Sequence, residues 1–270
     1  MTWIASQPTL VVLDIDGTIA IPGTTKISQG VRDAVADVRA AGHHVVLASG
    51  RSLVGVLAVA RELGITEGWV VASNGAVVAR LALGAPAGYH LHQVLTFDPR
   101  LVVDTVRARF PGARFAVEVV GKGYRVTRLF PSGDLNGYQM LVDLQRLTER
   151  PTTRLIVSSP GVNELLDDLG SHEVTVNTDG DRWLDVTPPN LSKATALDNV
   201  LDRLGVLSEG TVAVGDGLND LQMLGWAARG VAMAHAPAEL RDVADEVTGT
   251  LQEDGAAMVL RSLLPATVPA

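Results

Sequence analysis

Two aspartates separated by one residue, Asp14 and Asp16, directly follow the apolar run 10–13 and precede Gly17 and Thr18. An apolar run without helical spacing is typical of a fully buried strand. Ligands of open parallel sheets bind at the carboxyl ends of the strands, and alternate residues leaving a strand can face one crevice. The pattern therefore predicts two carboxylates that could do chemistry together. These residues alone leave open an acidic strand end followed by an ordinary turn.

Three further predicted strands, over residues 44–48, 69–72 and 211–214, also end in polar residues. Helical patterns separate the strands, and this alternation is typical of βαβ units in a parallel sheet. The carboxyl ends of parallel strands meet at one edge, so we expect their polar residues to lie together. The polar segments are Ser49-Gly50-Arg51, Ser73-Asn74-Gly75 and Gly215-Asp216-Gly217-Leu218-Asn219-Asp220.

Four carboxylates are expected at this edge: Asp14, Asp16, Asp216 and Asp220. Oxygen ligands without His or Cys suit Mg²⁺, which binds through a few carboxylates, waters and substrate phosphate. A divalent cation would also explain how these acids converge without mutual repulsion. The alternative for Asp216-Gly217 is a plain turn.

The composition excludes several classes of function. The chain has 270 residues, a formal net charge of -8 and no cysteine. The negative charge argues against nucleic acid or an anionic membrane as a partner, and the lack of cysteine excludes disulfides and thiolate chemistry. Residues 1–8 do not resemble a secretory signal, and charge, Gly or Pro interrupts the longer apolar runs. We expect a soluble, cytoplasmic protein.

The composition of the sequence changes near residue 84, where a run rich in Ala, Gly and Pro predicts a linker. Residues 84–186 then mix strand patterns, the first over 88–96, with helical patterns near 99–110, 137–148 and 161–169. Alternating polar and apolar residues favour an antiparallel sheet with one covered face. We therefore predict an α/β core over residues 1–83 and 187–270, with an inserted α+β domain over 84–186.

The motifs, taken in order, resemble those of a known family. Asp14-x-Asp16-Gly17-Thr18, Ser49-Gly50-Arg51, Lys193 and the segment 215–220 are similar to the four motifs of the haloacid dehalogenase (HAD) phosphatases. The insertion between the second and third motifs resembles the Cof-type subgroup with a type C2 (IIB) cap. The resemblance implies a Rossmann-like parallel-sheet core, an inserted α+β cap that selects the substrate, and Mg²⁺ as cofactor.

The resemblance also implies roles for individual residues. Asp14 would attack phosphorus and become an aspartyl phosphate, and Asp16 would act as general acid and then general base. Asp14, the backbone carbonyl of Asp16 and Asp216 would hold Mg²⁺, while Asp220 would position its shell. Lys193 would balance the charges of nucleophile and phosphate.

The resemblance places the substrate's phosphate against Ser49 and Gly50, with Lys193 and Asn219 beside it. Ser49 would donate a hydrogen bond to a phosphoryl oxygen, although a helix N-cap at this position is an alternative. Asn74 resembles a family position near the substrate, and its alternative is an Asn-Gly turn.

Several residues depart from the family pattern or have open roles. Asn190 and Ala194 stand where glycines are common, and His235 stands where Asn is common. In the cap, Tyr124, Arg125 and Arg128 could reach a sugar or a second anionic group, or could form a solvated strand face.

The function predicted from the resemblance is hydrolysis of small phosphorylated metabolites, with sugar phosphates as the first expectation, by a monomer or homodimer. A phosphosugar mutase of the same superfamily and a non-catalytic phosphometabolite-binding regulator are the alternatives. The presence of both Asp14 and Asp16 counts against the regulator.

Overall fold

Two sheets organise residues 8–178 and 180–265, which the computed structural model describes. Numbered in chain order, the strands of the larger, eight-stranded sheet are β1 Leu10–Leu13, β2 His44–Ala48, β3 Gly68–Ala72, β4 Val77–Leu81, β5 Tyr89–Val94, β12 Thr211–Gly215, β13 Arg229–Ala232 and β14 Glu246–Val247. Those of the smaller, six-stranded sheet are β6 Arg114–Val119, β7 Gly123–Val126, β8 Tyr138–Leu141, β9 Leu155–Ser158, β10 Thr175–Thr178 and β11 Trp183–Thr187.

Nine α-helices accompany the strands within the described residues. They are α1 Gln29–Ala40, α2 Leu53–Glu62, α3 Arg100–Arg109, α4 Leu144–Thr148, α5 Leu166–Gly170, α6 Lys193–Leu204, α7 Leu221–Trp226, α8 Ala238–Val243 and α9 Gly255–Arg261. In the part of the chain that the structure describes, no helix combines the length and apolarity that crossing a bilayer requires.

The larger sheet has the order β14-β13-β12-β1-β2-β3-β4-β5. All neighbours from β14 to β3 are parallel, whereas β4 and β5 are antiparallel additions. Leu13, at the end of β1, pairs with Leu47 on β2 and with Val214 on β12. The residues that follow these strands therefore emerge at one edge of the sheet, as predicted for a parallel α/β core.

Helices cover both faces of the larger sheet, which explains its uninterrupted apolar strands. On one face, Val11 and Leu13 belong to a core that includes residues of α1, α2 and α9. On the opposite face, Leu10 and Val12 belong to a core that includes residues of α6, α7 and α8. Since successive side chains of a strand point to opposite faces, β1 must be apolar throughout.

The smaller sheet has the order β10-β11-β9-β6-β7-β8 and is antiparallel except for the pair β7 and β8. Helices α3, α4 and α5 contribute to a core on one face with residues such as Val117 and Leu184. A smaller cluster contains Tyr124 and Ile156. This α+β unit lies within the predicted insertion.

Two local expectations differ from the structure. The strand predicted over 88–96 is β5, and it pairs with β4 in the larger sheet, so the inserted unit starts after Val94 rather than at residue 84. The helix predicted over 137–148 is instead β8, followed by the short helix α4. Strand β8 pairs with the free edge of β7, and Asp143 caps α4 by accepting a hydrogen bond from the Arg146 amide.

Candidate active site

Asp14 and Lys193 meet at the carboxyl edge of the larger sheet. Asp14 follows β1, and its amide donates to the Val214 carbonyl of the neighbouring strand. Lys193 is the first residue of α6, after the N-cap Ser192, and its side chain is fully buried. Its Nζ donates to Asp14 Oδ1 at 2.5 Å and to Asp220 Oδ1 at 2.6 Å. Helix α6 thus places one ammonium between carboxyl groups that are far apart in the sequence.

Asp216 approaches the same place from the end of β12. Its Oδ1 accepts a hydrogen bond from the Thr18 hydroxyl at 2.8 Å. Gly17 has a φ of +80°, and a Cβ there would collide with the Asp216 carboxyl group, so this position favours glycine for two reasons. Asp220 Oδ2 accepts from the amides of Asp216 and Gly217, which holds the loop after β12 in a tight turn.

Asp14, Asp216 and Asp220 could together hold a cation. Each offers one carboxylate oxygen, and these oxygens lie within 4.8 Å of one another. Three ionised carboxylates beside one lysine leave two negative charges, which one divalent cation would balance. An all-oxygen set suits Mg²⁺ among the common divalent ions. Both oxygens of Asp220 already accept hydrogen bonds, so Asp14 and Asp216 are the better direct ligands.

The pKa values report the same crowding of negative charge. Burial raises the pKa of Asp14 well above its ordinary value, the nearby Asp220 and Asp216 add to this rise, and Lys193 opposes it. Burial and the charge of Asp220 also raise the pKa of Asp216. Burial alone would lower the pKa of Lys193, but Asp14 and Asp220 outweigh it and raise that pKa, so the lysine stays charged.

The side chain of Asp16 does not join the three-acid group. Its two oxygens accept hydrogen bonds from Arg51 Nε at 2.7 Å and Arg51 Nη2 at 2.6 Å, and the Gly23 amide donates to it at 2.8 Å. Arg51 is nearly buried and also donates to the Thr24 carbonyl. Any contribution of Asp16 to a cation site must therefore come from its backbone carbonyl, which is the atom that the family resemblance implies.

Ser49, Gly50 and Asn74 lie side by side at the ends of β2 and β3. The Asn74 amide donates to the Ser49 carbonyl, and a Cβ at Gly50 would lie 3.1 Å from Asn74 Oδ1. The Ser49 hydroxyl accepts from the Arg51 amide, which leaves its own hydrogen to donate. Ser49 is not the N-cap of α2, because that position belongs to Ser52.

Asn74 connects the two halves of the candidate site. It has a left-handed backbone, with φ of 52°, and is buried. Its Oδ1 accepts from Asn219 Nδ2 at 3.1 Å, and its Nδ2 donates to Asp185 Oδ2 at 3.2 Å. Asn219 belongs to the loop after β12, and Asp185 belongs to β11 of the inserted unit. The side chain of Asn74 thus bonds to both units, which an ordinary Asn-Gly turn would not require.

Asp185 is part of a buried ion pair in the inserted unit. Both its oxygens accept from Arg154, at 2.7 and 2.9 Å, and Arg154 Nη1 donates to the Tyr124 hydroxyl at 2.7 Å. Burial and the charge of Asp185 are the main influences on the pKa of Arg154, and the net result is a raised value. Burial raises the pKa of Tyr124 to about 12, so its hydroxyl keeps its proton.

The other cap and loop residues with open roles are now located. Arg125 donates to the Arg146 carbonyl and to Glu149, and Arg128 donates to the Gly112 carbonyl, so both bond within the inserted unit. His235 Nε2 lies 3.6 Å from Asp216 Oδ2, at the border of the three-acid group. Asn190 adopts the left-handed backbone, with φ of 56°, that a glycine would adopt easily.

Arg154 and Glu118, which lie beside this site, carry no recognisable signal in the sequence. Arg154 and its partner Asp185 are 31 residues apart, and Glu118 reaches a partner 65 residues away. Only the fold creates such contacts. Arg51 could have been found, since it closes the Ser49-Gly50-Arg51 segment, but the spacing gave no reason to pair it with Asp16.

Comparison with known proteins gives one consistent result. The family model for haloacid dehalogenase-like hydrolases matches residues 11–87 and 156–260. YkrA of Bacillus subtilis (strain 168), whose name describes it provisionally as a phosphatase, is 31% identical over 94% of this chain and 97% of its own length. A phosphoglycolate phosphatase of Natronomonas pharaonis is 32% identical over 90% of this chain and 92% of its own length. The structure of BT4131, a sugar phosphatase of HAD subclass IIB, superposes with a TM-score of 0.78 at 21% identity, covering 94% of this chain and 98% of that one.

Proposed function

Because this chain belongs to the haloacid dehalogenase-like hydrolases, we propose that it is a Mg²⁺-dependent phosphatase of small phosphorylated metabolites, with sugar phosphates as the leading class. The observation that carries the proposal is the arrangement of Asp14, Asp216 and Asp220 around the buried Lys193. This arrangement provides a nucleophile, a divalent cation site and a fixed positive charge at one point.

The predicted membership is confirmed at the level of the family. The family model covers more than half of the chain, and the relatives that match along nearly its whole length are named as phosphatases. The predicted α/β fold is confirmed by the structural neighbours. The chain is therefore a HAD-type phosphatase, and the predicted Cof-type subgroup agrees with the structural neighbour BT4131, which is of subclass IIB.

In the proposed reaction, Asp14 is the nucleophile. One of its carboxylate oxygens forms a bond to phosphorus while the bond from phosphorus to the leaving oxygen breaks. Asp16 donates a proton to that leaving oxygen, and then accepts a proton from the water that hydrolyses the aspartyl phosphate. Asp16 regains in the second step the proton that it gives up in the first, and its side chain is about a third exposed, so the hydrolytic water can reach it.

The remaining residues stabilise the transferred group. Lys193 holds the Asp14 carboxylate in place and offers its charge to the phosphoryl oxygens. Ser49 donates its free hydroxyl hydrogen, and Gly50 leaves room for the phosphate beside Asn74. Asn219 reaches the same pocket from the loop after β12. When bound, Mg²⁺ neutralises the phosphate and aligns it for in-line attack.

Sugar phosphates lead the candidate substrates because the structural neighbour BT4131 is a sugar phosphatase of HAD subclass IIB. The inserted unit reaches the carboxyl edge of the larger sheet through the hydrogen bond from Asn74 to Asp185, which places it to select the rest of the substrate. The proposal also includes a cytoplasmic protein, a monomer or homodimer, with neither nucleic acid nor membrane as partner.

The test is a Mg²⁺-dependent assay of phosphate release across phosphorylated sugars, nucleotides and cofactors. We expect release from at least one sugar phosphate and loss of release in Asp14→Asn. Asp37→Asn, at an exposed position of α1, is the matched control and should behave as wild type. Release from no compound, or equal release by Asp14→Asn, would contradict the proposal. A requirement for a sugar bisphosphate in turnover would instead indicate a mutase.

A further inference from the structure

Glu118 is a buried carboxyl group that the proposed reaction does not use. It belongs to β6 of the inserted unit and is 6% exposed. It accepts three hydrogen bonds, from the Leu53 amide at 3.1 Å, the Ser73 hydroxyl at 2.6 Å and the Thr153 hydroxyl at 2.7 Å. Two of these donors belong to the larger-sheet core. Glu118 therefore joins the two units at a buried point.

The first core partner is the amino terminus of α2. This helix begins directly after Ser49-Gly50-Arg51-Ser52, and its N-cap Ser52 makes no side-chain capping bond. The Leu53 amide, one of the free donors of the first turn, is satisfied by Glu118 instead. A carboxylate at this end of a ten-residue helix is also favoured by the helix dipole. The inserted unit thus supplies the cap of a core helix.

The second core partner belongs to the loop that carries Asn74. Ser73 has a left-handed backbone with φ of 51°, and its amide donates to the Arg51 carbonyl at 2.8 Å. The Asn74 amide donates to the Ser49 carbonyl at 3.1 Å. The loops after β2 and β3 are therefore bonded to each other, and Glu118 holds one through α2 and the other through Ser73.

These contacts exist only while the inserted unit is docked. Thr153 alone would remain beside Glu118 if the two units separated, and Leu53 and Ser73 would exchange its carboxyl group for water. A buried carboxyl group is stable only when it is hydrogen-bonded. Among the described residues, Glu118 has three neutral donors and no cation within ion-pair distance. Its burial therefore depends on the core donors.

We propose that Glu118 is a positioning residue: docking of the inserted unit places its carboxyl group on Leu53 and Ser73, and this holds the loops of Ser49 and Asn74 in the geometry for phosphoryl transfer. The proposal rests on the proposed function for its catalytic consequence. Its structural consequence, the ordering of the two loops, stands without any substrate.

The experiment compares wild type with Glu118→Gln, and uses Glu164→Gln as a matched control. Glu164 is an exposed glutamate of the same unit. Hydrogen exchange is measured at the amides of residues 49–56 and 73–76, and kcat and KM are measured for a sugar phosphate that wild type hydrolyses. We expect Glu118→Gln to speed exchange in both segments by about 10-fold or more. We also expect it to lower kcat by about 10- to 100-fold, with a smaller change in KM.

The control and a second variant keep the inference falsifiable. Glu164→Gln should match wild type in every measurement. Ser73→Ala removes one core donor, so it should give part of the effect on exchange and kcat, and should add little to Glu118→Gln in the double variant. If Glu118→Gln does not fold, the amide exchange rates and kcat of Ser73→Ala test the proposal instead, and values equal to those of wild type would overturn it.

The outcomes separate the two proposals. Unchanged exchange in Glu118→Gln overturns the inference whatever the activity, and faster exchange with unchanged kcat overturns the positioning role. If wild type releases no phosphate, the proposed function fails, while hydrogen exchange still decides whether Glu118 orders the two loops.

Discussion

Two polar regions, one at the edge of the larger sheet and one in the inserted unit, differ in charge balance. At the edge of the larger sheet, the ammonium of Lys193 pairs with Asp14 and Asp220, and the carboxyl group of Asp216 lies beside theirs. In the inserted unit, Arg154 and Asp185 form a pair of equal and opposite charges. The first region has an excess of negative charge that favours a cation. The second is complete in itself, and it can contact Asn74 without requiring a further ion.

This difference predicts that the first region performs the chemistry and the second maintains the structure. Substitutions in the first should change activity and cation binding more than folding. Substitutions in the second region should lower the free energy of unfolding more than they change the chemistry.

The largest effect is expected from Asp16→Asn, which removes the proposed general acid. Turnover of a sugar phosphate should fall by about 10²- to 10⁴-fold, because asparagine cannot transfer the proton. Arg51 is nearly buried and loses its charge partner in this variant, so the free energy of unfolding should also fall, by about 1–3 kcal/mol. Steady-state kinetics and urea denaturation of the same preparation check both statements. Turnover within a few-fold of wild type would show that Asp16 is not the general acid.

Breaking the ion pair of the inserted unit should have the opposite profile. Arg154→Met leaves Asp185 buried without its partner and should lower the free energy of unfolding by about 3–5 kcal/mol. The double variant Arg154→Met/Asp185→Leu, which removes both charges, should recover most of the loss. Urea denaturation measures both variants. A double variant as unstable as the single one would mean that the pair is not the source of the effect.

Acidification should weaken the stabilisation by Mg²⁺. Without a cation, the pKa values of Asp14 and Asp216 are raised, so protons occupy these groups more readily in the folded protein than in the unfolded one. As the pH rises through these raised values, the cation-free protein loses the stability that the protons provided, and Mg²⁺ can take their place. The increase in Tm on adding Mg²⁺ should therefore be larger at about pH 8 than at about pH 5. An equal increase at both would contradict competition between protons and the cation.

The smallest expected effect is a gain in stability. Without a cation, Asp216→Asn removes one of three crowded carboxyl groups and should raise the free energy of unfolding by about 0.5–2 kcal/mol. Asparagine can still accept the hydrogen bond from Thr18. Asp185→Asn should instead destabilise the protein, since it leaves Arg154 buried without a charge partner. Denaturation in the presence of a chelator measures the free energy of unfolding of both variants. Loss of stability in both would contradict the proposed difference in charge balance between the two regions.

The core and its carboxyl edge could be predicted because their signals are local. Buried parallel strands must be apolar on both faces, so β1 and β2 are visible as short runs, and the polar residues after them must share an edge. The convergence of Asp14 and Asp216 follows from this rule. The contacts of Lys193 do not follow from this rule, because a lysine at the start of a helix carries no local sign that its side chain will be buried.

The misplaced elements depend on long-range pairing. Apolar residues recur at helical spacing at positions 138, 141, 144 and 147. Tyr138–Leu141 nevertheless form a strand, because they pair with the free edge of β7. Strand β5 extends the larger sheet although the linker before it resembles a domain boundary. The contacts of Glu118 and Arg154 join segments that only the finished fold brings together.

Calorimetric titration of Mg²⁺ into wild type and Asp216→Asn tests the central claim most directly, since that claim is that the acids around Lys193 hold one divalent cation. We predict that wild type binds a single Mg²⁺ per chain and that Asp216→Asn loses this binding. No binding by wild type, or equal binding by the variant, would contradict the account.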